Sequence, residues 1–393
     1  MKRLGCFQLS QEAVERLAAN YETPLLVLSL NQIEKNYRFL QEHLPQVKLH
    51  YAMKANPHAR ILERLSELGS SFDVASDGEI RTLAEMGISG DRLIYANPIK
   101  TERGFKACRD TGVHKFTFDS FSEVDKLAKA CPGATVLLRL RIDNAQAHVD
   151  LNKKFGAPRE NAIALLQAAQ AAGLNAAGIA FHVGSQTVCS DPYLRALDIT
   201  KELFDEARAV GLNLTTLDIG GGFPIPESKV KFNLSEMLQQ IAARLEEDFA
   251  DVYIWAEPGR YMCGTAVNLI TSVIGINERN GQTWYFLDDG IYGTFSGVIF
   301  DQWDFDLVSF KKGKKVAATF AGPSCDSLDI MFRGKLTAPL EMGDLLLVPA
   351  CGAYTSASAC NFNGFAKARV IIWEDVEAEF GDQKLEQNLL AVG

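Results

Sequence analysis

The chain has no apolar run long enough to span a bilayer and no apolar signal-peptide core near its start, so a cytoplasmic protein is expected. Its eight cysteines show neither CxxC nor Cys/His zinc spacing; in a leaderless chain they read as free thiols of a reducing compartment, and no metal is expected. Repeats and low-complexity segments are absent. Positive charge is in deficit. A net charge of −9 argues against nucleic acid and anionic membranes as partners, while tolerating cationic small molecules. A dinucleotide fingerprint is also lacking, because Ile225 stands where the third glycine after Gly220 and Gly222 belongs.

What is present is ordinary in bulk and ordered in detail. The 393 residues, 47% hydrophobic and 23% charged, suit a globular protein of two domains, or one large barrel with an added piece. After an amphipathic helix at 11–20 and a strand at 24–30, strand-like runs recur at 47–53, 71–75, 92–96, 115–119, 135–140, 177–182, 215–219 and 252–256. Helical patterns separate them. Ile61, Leu62, Leu65 and Leu68 lie at helical spacing before Gly69, Ser120 with Glu123 reads as a capping box, and Asn233 with Glu236 caps the last helix of the series. Eight strands alternating with helices predict a (β/α)8 barrel; a doubly wound open sheet shares the pattern, since closure leaves no mark in sequence. Beyond about residue 261 the rhythm turns to strands at 267–276, 283–287, 315–320 and 344–348, which predicts a mostly β domain. The expected division is 28–266 for the barrel and 267–393 with 1–27 for the β domain, with the residues from Gly381 onward loosely packed.

In a barrel, the carboxyl ends of the strands hold the chemistry. The first run, VKLHYAMKAN, alternates Leu49, Tyr51 and Met53 with Lys48, His50 and Ala52, and delivers Lys54 to its end before Pro57 stops it. Taken alone, such a lysine fits a snorkelling side chain or a surface ion pair equally well. The other strand ends change the balance. They carry Asp73 with Glu79 just beyond, Arg139, His182 and Ser185, Asp218 with Gly220, Gly221 and Gly222, and Glu257 with Gly259 and Arg260. Consecutive glycines let a backbone approach a phosphate closely, and Arg260 adds a cation in the next loop. An amine, a phosphate cradle, a flat ring and a carboxylate at one mouth fit pyridoxal 5′-phosphate (PLP). Its aldehyde takes an amine, its phosphate takes N–H groups and a cation, and its pyridine nitrogen takes an anion.

YAMKAN, FDVAS, HVGSQ, DIGGGFP, EPGRY, DDGIYGTF, GPSCDSLD and GAYT, in that order along nearly the whole chain, resemble the signatures of the fold-type III PLP-dependent decarboxylases. That resemblance implies an alanine-racemase-like architecture, a barrel followed by a Greek-key or barrel-like β domain, and a carboxy-lyase activity. It also implies roles. Lys54 would bind the cofactor covalently, His182 would stack on its ring and Glu257 would pair with the pyridine nitrogen. Ser185, Gly220 to Gly222, Gly259, Arg260 and Tyr354 would hold the phosphate, with Asp73, Glu79 and Arg139 surrounding the lysine and ring. Cys325 would donate the proton to Cα from a partner subunit, which implies a homodimer with active sites at the interface.

For the substrate, the resemblance points to a basic L-amino acid, ornithine or lysine, decarboxylated to putrescine or cadaverine with release of CO2. Asp301 in VIFDQW and Asp326 would face the distal ammonium, with Tyr292 beside them. Phe300 and Gln302 depart from the Tyr and His that flank this aspartate in many eukaryotic ornithine decarboxylases, and Asp304 and Asp306 offer rival carboxylates. Two alternatives remain: a diaminopimelate decarboxylase, which typically reads Cys-Glu-Ser-Gly-Asp where this chain has Cys325-Asp326-Ser-Leu-Asp329, and a non-catalytic decarboxylase-like regulator.

Overall fold

Parallel pairing decides which side chains are buried in this computed structural model, which describes residues 5–142, 154–226 and 230–380. After a helix at Gln11–Tyr21 and strand β1 (Leu25–Leu28) come β2 (Val47–Ala52), β3 (Ser71–Val74), β4 (Leu93–Tyr95), β5 (Lys115–Phe118), β6 (Thr135–Leu140), β7 (Asn175–Phe181), β8 (Thr216–Asp218) and β9 (Tyr253–Ala256). Strands β2 to β9 close into a barrel, each parallel to the next. Closure rests on β2 meeting β9, with Val47 opposite Ile254 and Leu49 opposite Ala256. The open-sheet alternative is thereby excluded.

The expected alternation along β2 does not hold. His50 and Ala52 are as buried as Leu49 and Tyr51, and Lys48 is the one exposed residue of the strand. A barrel strand packs side chains on both faces, so it hides polar and apolar positions alike. His50 accordingly has its pKa pushed down to about 3, first by burial and then by the charge of Lys48.

The helices between strands start where capping side chains stand. Ser76, Thr101 and Ser120 each accept a backbone N–H three residues on. At Ser120 only that half of the expected box is seen: the Glu123 carboxylate instead pairs with Lys126 and lies 3.9 Å from the buried Lys100 amine. The Lys126 ammonium thus takes the carboxylate in place of the N-cap amide. At Asn233 the Glu236 N–H donates to Asn233 Oδ1 at 3.3 Å, and the Asn233 side-chain amide, rather than its backbone N–H, donates to Glu236 Oε2 at 3.3 Å.

The second sheet contains β1, β10 (Val267–Arg279), β11 (Gln282–Leu287), β12 (Val308–Ser309), β13 (Val316–Ala321), β14 (Ile330–Thr337), β15 (Leu345–Val348) and β16 (Arg369–Ile372), in the order β12-β15-β10-β11-β13-β14. Strand β1 joins this sheet, antiparallel to β10 and parallel to β16. It is shorter than the 24–30 run, because Leu30 already opens the helix Leu30–His43. Asn280 and Gly281, both at positive φ, make the tight turn between β10 and β11. The chain divides into two compact units: Glu34–Ile225 with Val230–Met262, and Met1–Ile33 with Pro226–Lys229 and Cys263–Gly393. In the latter, Val14, Leu17, Leu25, Val27, Ile270 and Trp373 share one apolar core. The segment from Gly381, expected to pack loosely, lies outside the described residues. Among the described residues no helix is long and apolar enough to cross a membrane.

Candidate active site

Lys54 sits in a single helical turn, Met53–Ala55, directly after β2. The Tyr51 hydroxyl donates to Asn56 O at 2.9 Å and closes the turn from beneath. The lysine side chain is 48% exposed, yet its Nζ donates to Asp73 Oδ2 at 2.8 Å, on a carboxylate that is 1% exposed. The amine thus stands in the open mouth while its counter-charge is rooted in β3. Glu79 reaches back to the same strand end, where Oε2 accepts from Ala75 N at 2.6 Å. Burial and then the charge of Asp73 raise its pKa, partly offset by that N–H.

On the other side of β2 from Asp73, at its neighbour β9 and at β8 beyond, lie two buried carboxyls. Glu257 follows β9 and is 7% exposed, and Asp218 ends β8 with no exposure. Burial raises the pKa of both, and each is raised further by neighbouring carboxylates; Asp218 reaches about 6 and Glu257 goes well above its ordinary value. Lys54 and Arg139 pull Glu257 the other way. Arg139, on β6, is 8% exposed. His182 follows β7; its Nδ1 accepts from Gly184 N at 2.9 Å, which leaves the proton on Nε2. Burial, then Arg139 and Lys54, hold this imidazole well below its ordinary pKa, so the ring is neutral.

The three glycines are needed for close approach. Gly220 and Gly222 have φ of +66° and +109°. A Cβ at Gly220, Gly221 or Gly222 would come within 2.2, 2.5 and 2.4 Å of the carbonyl oxygens of Phe181, Glu257 and Gly184. The Gly220 N–H donates to Asp218 Oδ1 at 2.8 Å, and Gly220 O accepts from Glu257 N at 2.8 Å. This glycine therefore serves the turn and ties β8 to β9. The loop is braced further by Tyr193, whose hydroxyl donates to Gly221 O at 2.9 Å, and by a two-way clamp between the Gln186 amide and the Ile225 backbone. Arg260, 6% exposed, donates from Nε to Ser185 Oγ at 3.4 Å. Met262 N bonds back to Gly259 O at 3.0 Å.

In the second unit, the Tyr292 hydroxyl donates to Asp326 Oδ2, and the Tyr292 ring stacks on Phe362 at 4.1 Å between centroids. Asp326 Oδ1 accepts from Leu328 N at 2.9 Å; that bond and Tyr292 hold its carboxyl below the ordinary range. Cys325 is exposed, and its N–H donates to Asn363 Oδ1 at 3.0 Å. Asp301 ends the short helix Gly297–Phe300, donating its own N–H to Gly297 O at 3.0 Å. Asp304, one of the rival carboxylates, is paired with Lys335. Tyr354 is half-buried, with φ of +55°. Sequence reasoning missed Asp218 as a carboxyl beside Glu257, and it missed Asn363. The first had a signal, because the DIGGG stretch places an aspartate two residues before the turn it bonds. The second had none.

A barrel mouth that offers an accessible amine, a glycine cradle and buried carboxyls has the groups a pyridoxal-phosphate enzyme uses. Buried polar atoms also remain unsatisfied around it: Asp73 Oδ1, Asp218 Oδ2 and Arg139 Nε have no protein partner. These residues fit the cofactor. Comparison with known proteins agrees. A family model for the pyridoxal binding domain of pyridoxal-dependent decarboxylases matches residues 30–264. The lysine/ornithine decarboxylase of Selenomonas ruminantium is 53% identical over 370 residues, 94% of each chain. The structure of SrLDC with PLP and cadaverine superposes with a TM-score of 0.91 at 49% identity, covering 100% of this chain and 98% of that one. The lysine/ornithine decarboxylase of Vibrio vulnificus in complex with cadaverine gives 0.87 at 36% identity, with 93% and 99% covered. The chain belongs to the pyridoxal-dependent decarboxylases, and pyridoxal 5′-phosphate is its cofactor.

Proposed function

We propose that this protein decarboxylates L-lysine and L-ornithine to cadaverine and putrescine, as a homodimer in which each active site draws residues from both subunits. The observation that carries the reading is the pairing of an accessible Lys54 amine with buried Asp73 at the same mouth as buried Glu257. Bound there, PLP supplies an aldehyde that accepts amines and a protonated ring that takes up the electron pair of a bond breaking at Cα.

The chain's own residues do the rest. Lys54 would hold the cofactor through its amine, and Asp73 keeps that amine oriented. The Glu257 carboxyl pairs with the pyridine nitrogen. It shares a buried site with Asp218, so the pair and the nitrogen hold protons in common, and a cationic nitrogen favours Glu257 as carboxylate. Neutral His182 packs flat on the ring without adding charge. Gly221 and Gly222, through their N–H groups, and the Arg260 guanidinium would hold the phosphate, with Ser185, Gly259 and Tyr354 beside them; the Gly220 N–H is committed to Asp218. Arg139 neutralises part of the carboxylate charge at the mouth. Cys325 of the partner donates the proton to Cα. Its exposure, with Leu328 three residues on 69% exposed, supports a second copy covering that face. Asp326 and Asp301 hold the distal ammonium, Tyr292 orienting Asp326.

Diamine and CO2 formation measured with lysine, ornithine and meso-diaminopimelate side by side tests the assignment. Turnover of the first two and not the third is expected, since two aspartates suit an ammonium and repel a second carboxylate. Preferential turnover of meso-diaminopimelate overturns it.

A further inference from the structure

Ser324, Asp326 and Asp329, in the same loop as Cys325, are tied by bonds to groups other than Cys325. Ser324 N donates to Asp329 Oδ2 at 3.0 Å, Asp329 N donates to Asp326 O at 3.0 Å, and both oxygens of the Asp326 carboxylate are engaged. The Cys325 N–H reaches across to a different loop, to the side chain of Asn363. That loop is itself shaped for the reach. Asn363 has φ +53° and ψ +15°, in the left-handed region, inside the turn Phe362–Gly364. Left-handed backbone is costly for most residues and least so for asparagine, whose short amide tolerates it. The same turn presents Phe362, which stacks on Tyr292, and Tyr292 in turn bonds Asp326. One strained turn thus sits behind both the thiol and the substrate carboxylate.

We propose that Asn363 is a positioning residue for the reaction: its side-chain oxygen fixes the backbone of Cys325, and so sets where the thiol delivers its proton. This rests on the reading of Cys325 as proton donor given above. Neither the sequence motifs nor the barrel geometry assigns Asn363 a part. A positioning role follows because a proton transfer depends on donor placement far more steeply than binding does.

The test uses the holoenzyme with three substitutions at one site. Asn363→Gly keeps the left-handed turn and removes the acceptor; Asn363→Ala removes both; Asn363→Asp keeps the acceptor and tolerates the turn. Asn363→Gly is expected to lower kcat about tenfold with KM within about twofold, and Asn363→Asp to restore kcat to within about threefold of the parent. A second readout is independent of turnover. Iodoacetamide labelling, quantified by mass spectrometry, compares Cys325 with Cys360, which is also exposed but bonds through its N–H to Tyr292 O. The Cys325 to Cys360 labelling ratio is expected to change in the Gly variant and to return in the Asp variant. Unchanged kcat and ratio in Asn363→Gly overturn the proposal, as does an Asp variant as impaired as the Gly one. So does a parallel loss of kcat, KM and melting temperature, which marks a merely structural role. Cys325→Ala separates the two readings: if it keeps full kcat, the proton-donor assignment fails, while the labelling ratio in the Asn363 variants that retain Cys325 still reports whether Asn363 holds the loop.

Discussion

At the barrel mouth the polar groups are buried at strand ends. Asp73, Asp218, Glu257 and Arg260 are each less than 8% exposed, and their positions follow from the register of β3, β8 and β9. Around Cys325 the thiol and Asn363 are exposed, Asp326 is half-buried, all three lie on loops, and side-chain bonds between loops place them. The first arrangement shifts pKa values strongly, raising Asp218 and Glu257 and lowering His182. The second shifts the Asp326 carboxyl only downward, through two hydrogen bonds. Burial suits cofactor electronics, which need a fixed field in low dielectric. Loops suit proton delivery and substrate choice, where reach matters more than field.

That contrast is sharpest at Lys54. Replacing it by Ala removes the amine proposed to hold the cofactor, so turnover should fall by about 10³-fold or more, together with the yellow absorbance of the bound cofactor. Retained turnover would remove Lys54 from its role. In the loop region the expected effect is smaller and of another kind. Asp301→Ala takes away a carboxylate proposed to bind the distal ammonium and should raise KM for lysine and ornithine about tenfold, with kcat nearly unchanged. An unaltered KM would exclude Asp301 from binding.

The smallest effect concerns stability. The folded pKa of Asp218 is raised from 3.8 to about 6, so the folded state binds its proton more tightly than the unfolded state. The stability this contributes is complete below pH 3.8 and is lost as pH rises through about 6. Asp218→Asn cannot ionise. In the cofactor-free protein its melting temperature should fall less than the parent's across that window; parallel curves would refute the linkage.

Much of the barrel was legible because each of its strands is an apolar run bounded by turn residues, and the periodicity survives one-residue errors at the ends. In the second sheet, β12, β14 and β16 left no comparable mark. Strand β14 reads Ile330-Met-Phe-Arg-Gly-Lys-Leu-Thr337, with polar residues and a glycine where a buried strand would be apolar, because it lies at the edge of its sheet. Asp304 was legible as a carboxylate near Asp301, yet its partner Lys335 lies 31 residues away. No local pattern encodes such a pairing.

The sequence by itself determined the chemical inventory and its order: a lysine after the first barrel strand, three glycines after the seventh, a glutamate after the eighth, and a Cys-Asp pair downstream. These follow from residue type and spacing, which local rules of strands, caps and turns can read. Tertiary structure alone decided that β2 closes on β9, so that these ends share one mouth. It also decided that the Gly220 N–H is spent on Asp218, that Asp304 belongs to Lys335, and that Cys325 is held by Asn363. Each of these depends on hydrogen bonds or register between distant segments. Their partners are set by three-dimensional proximity, which no window along the chain contains.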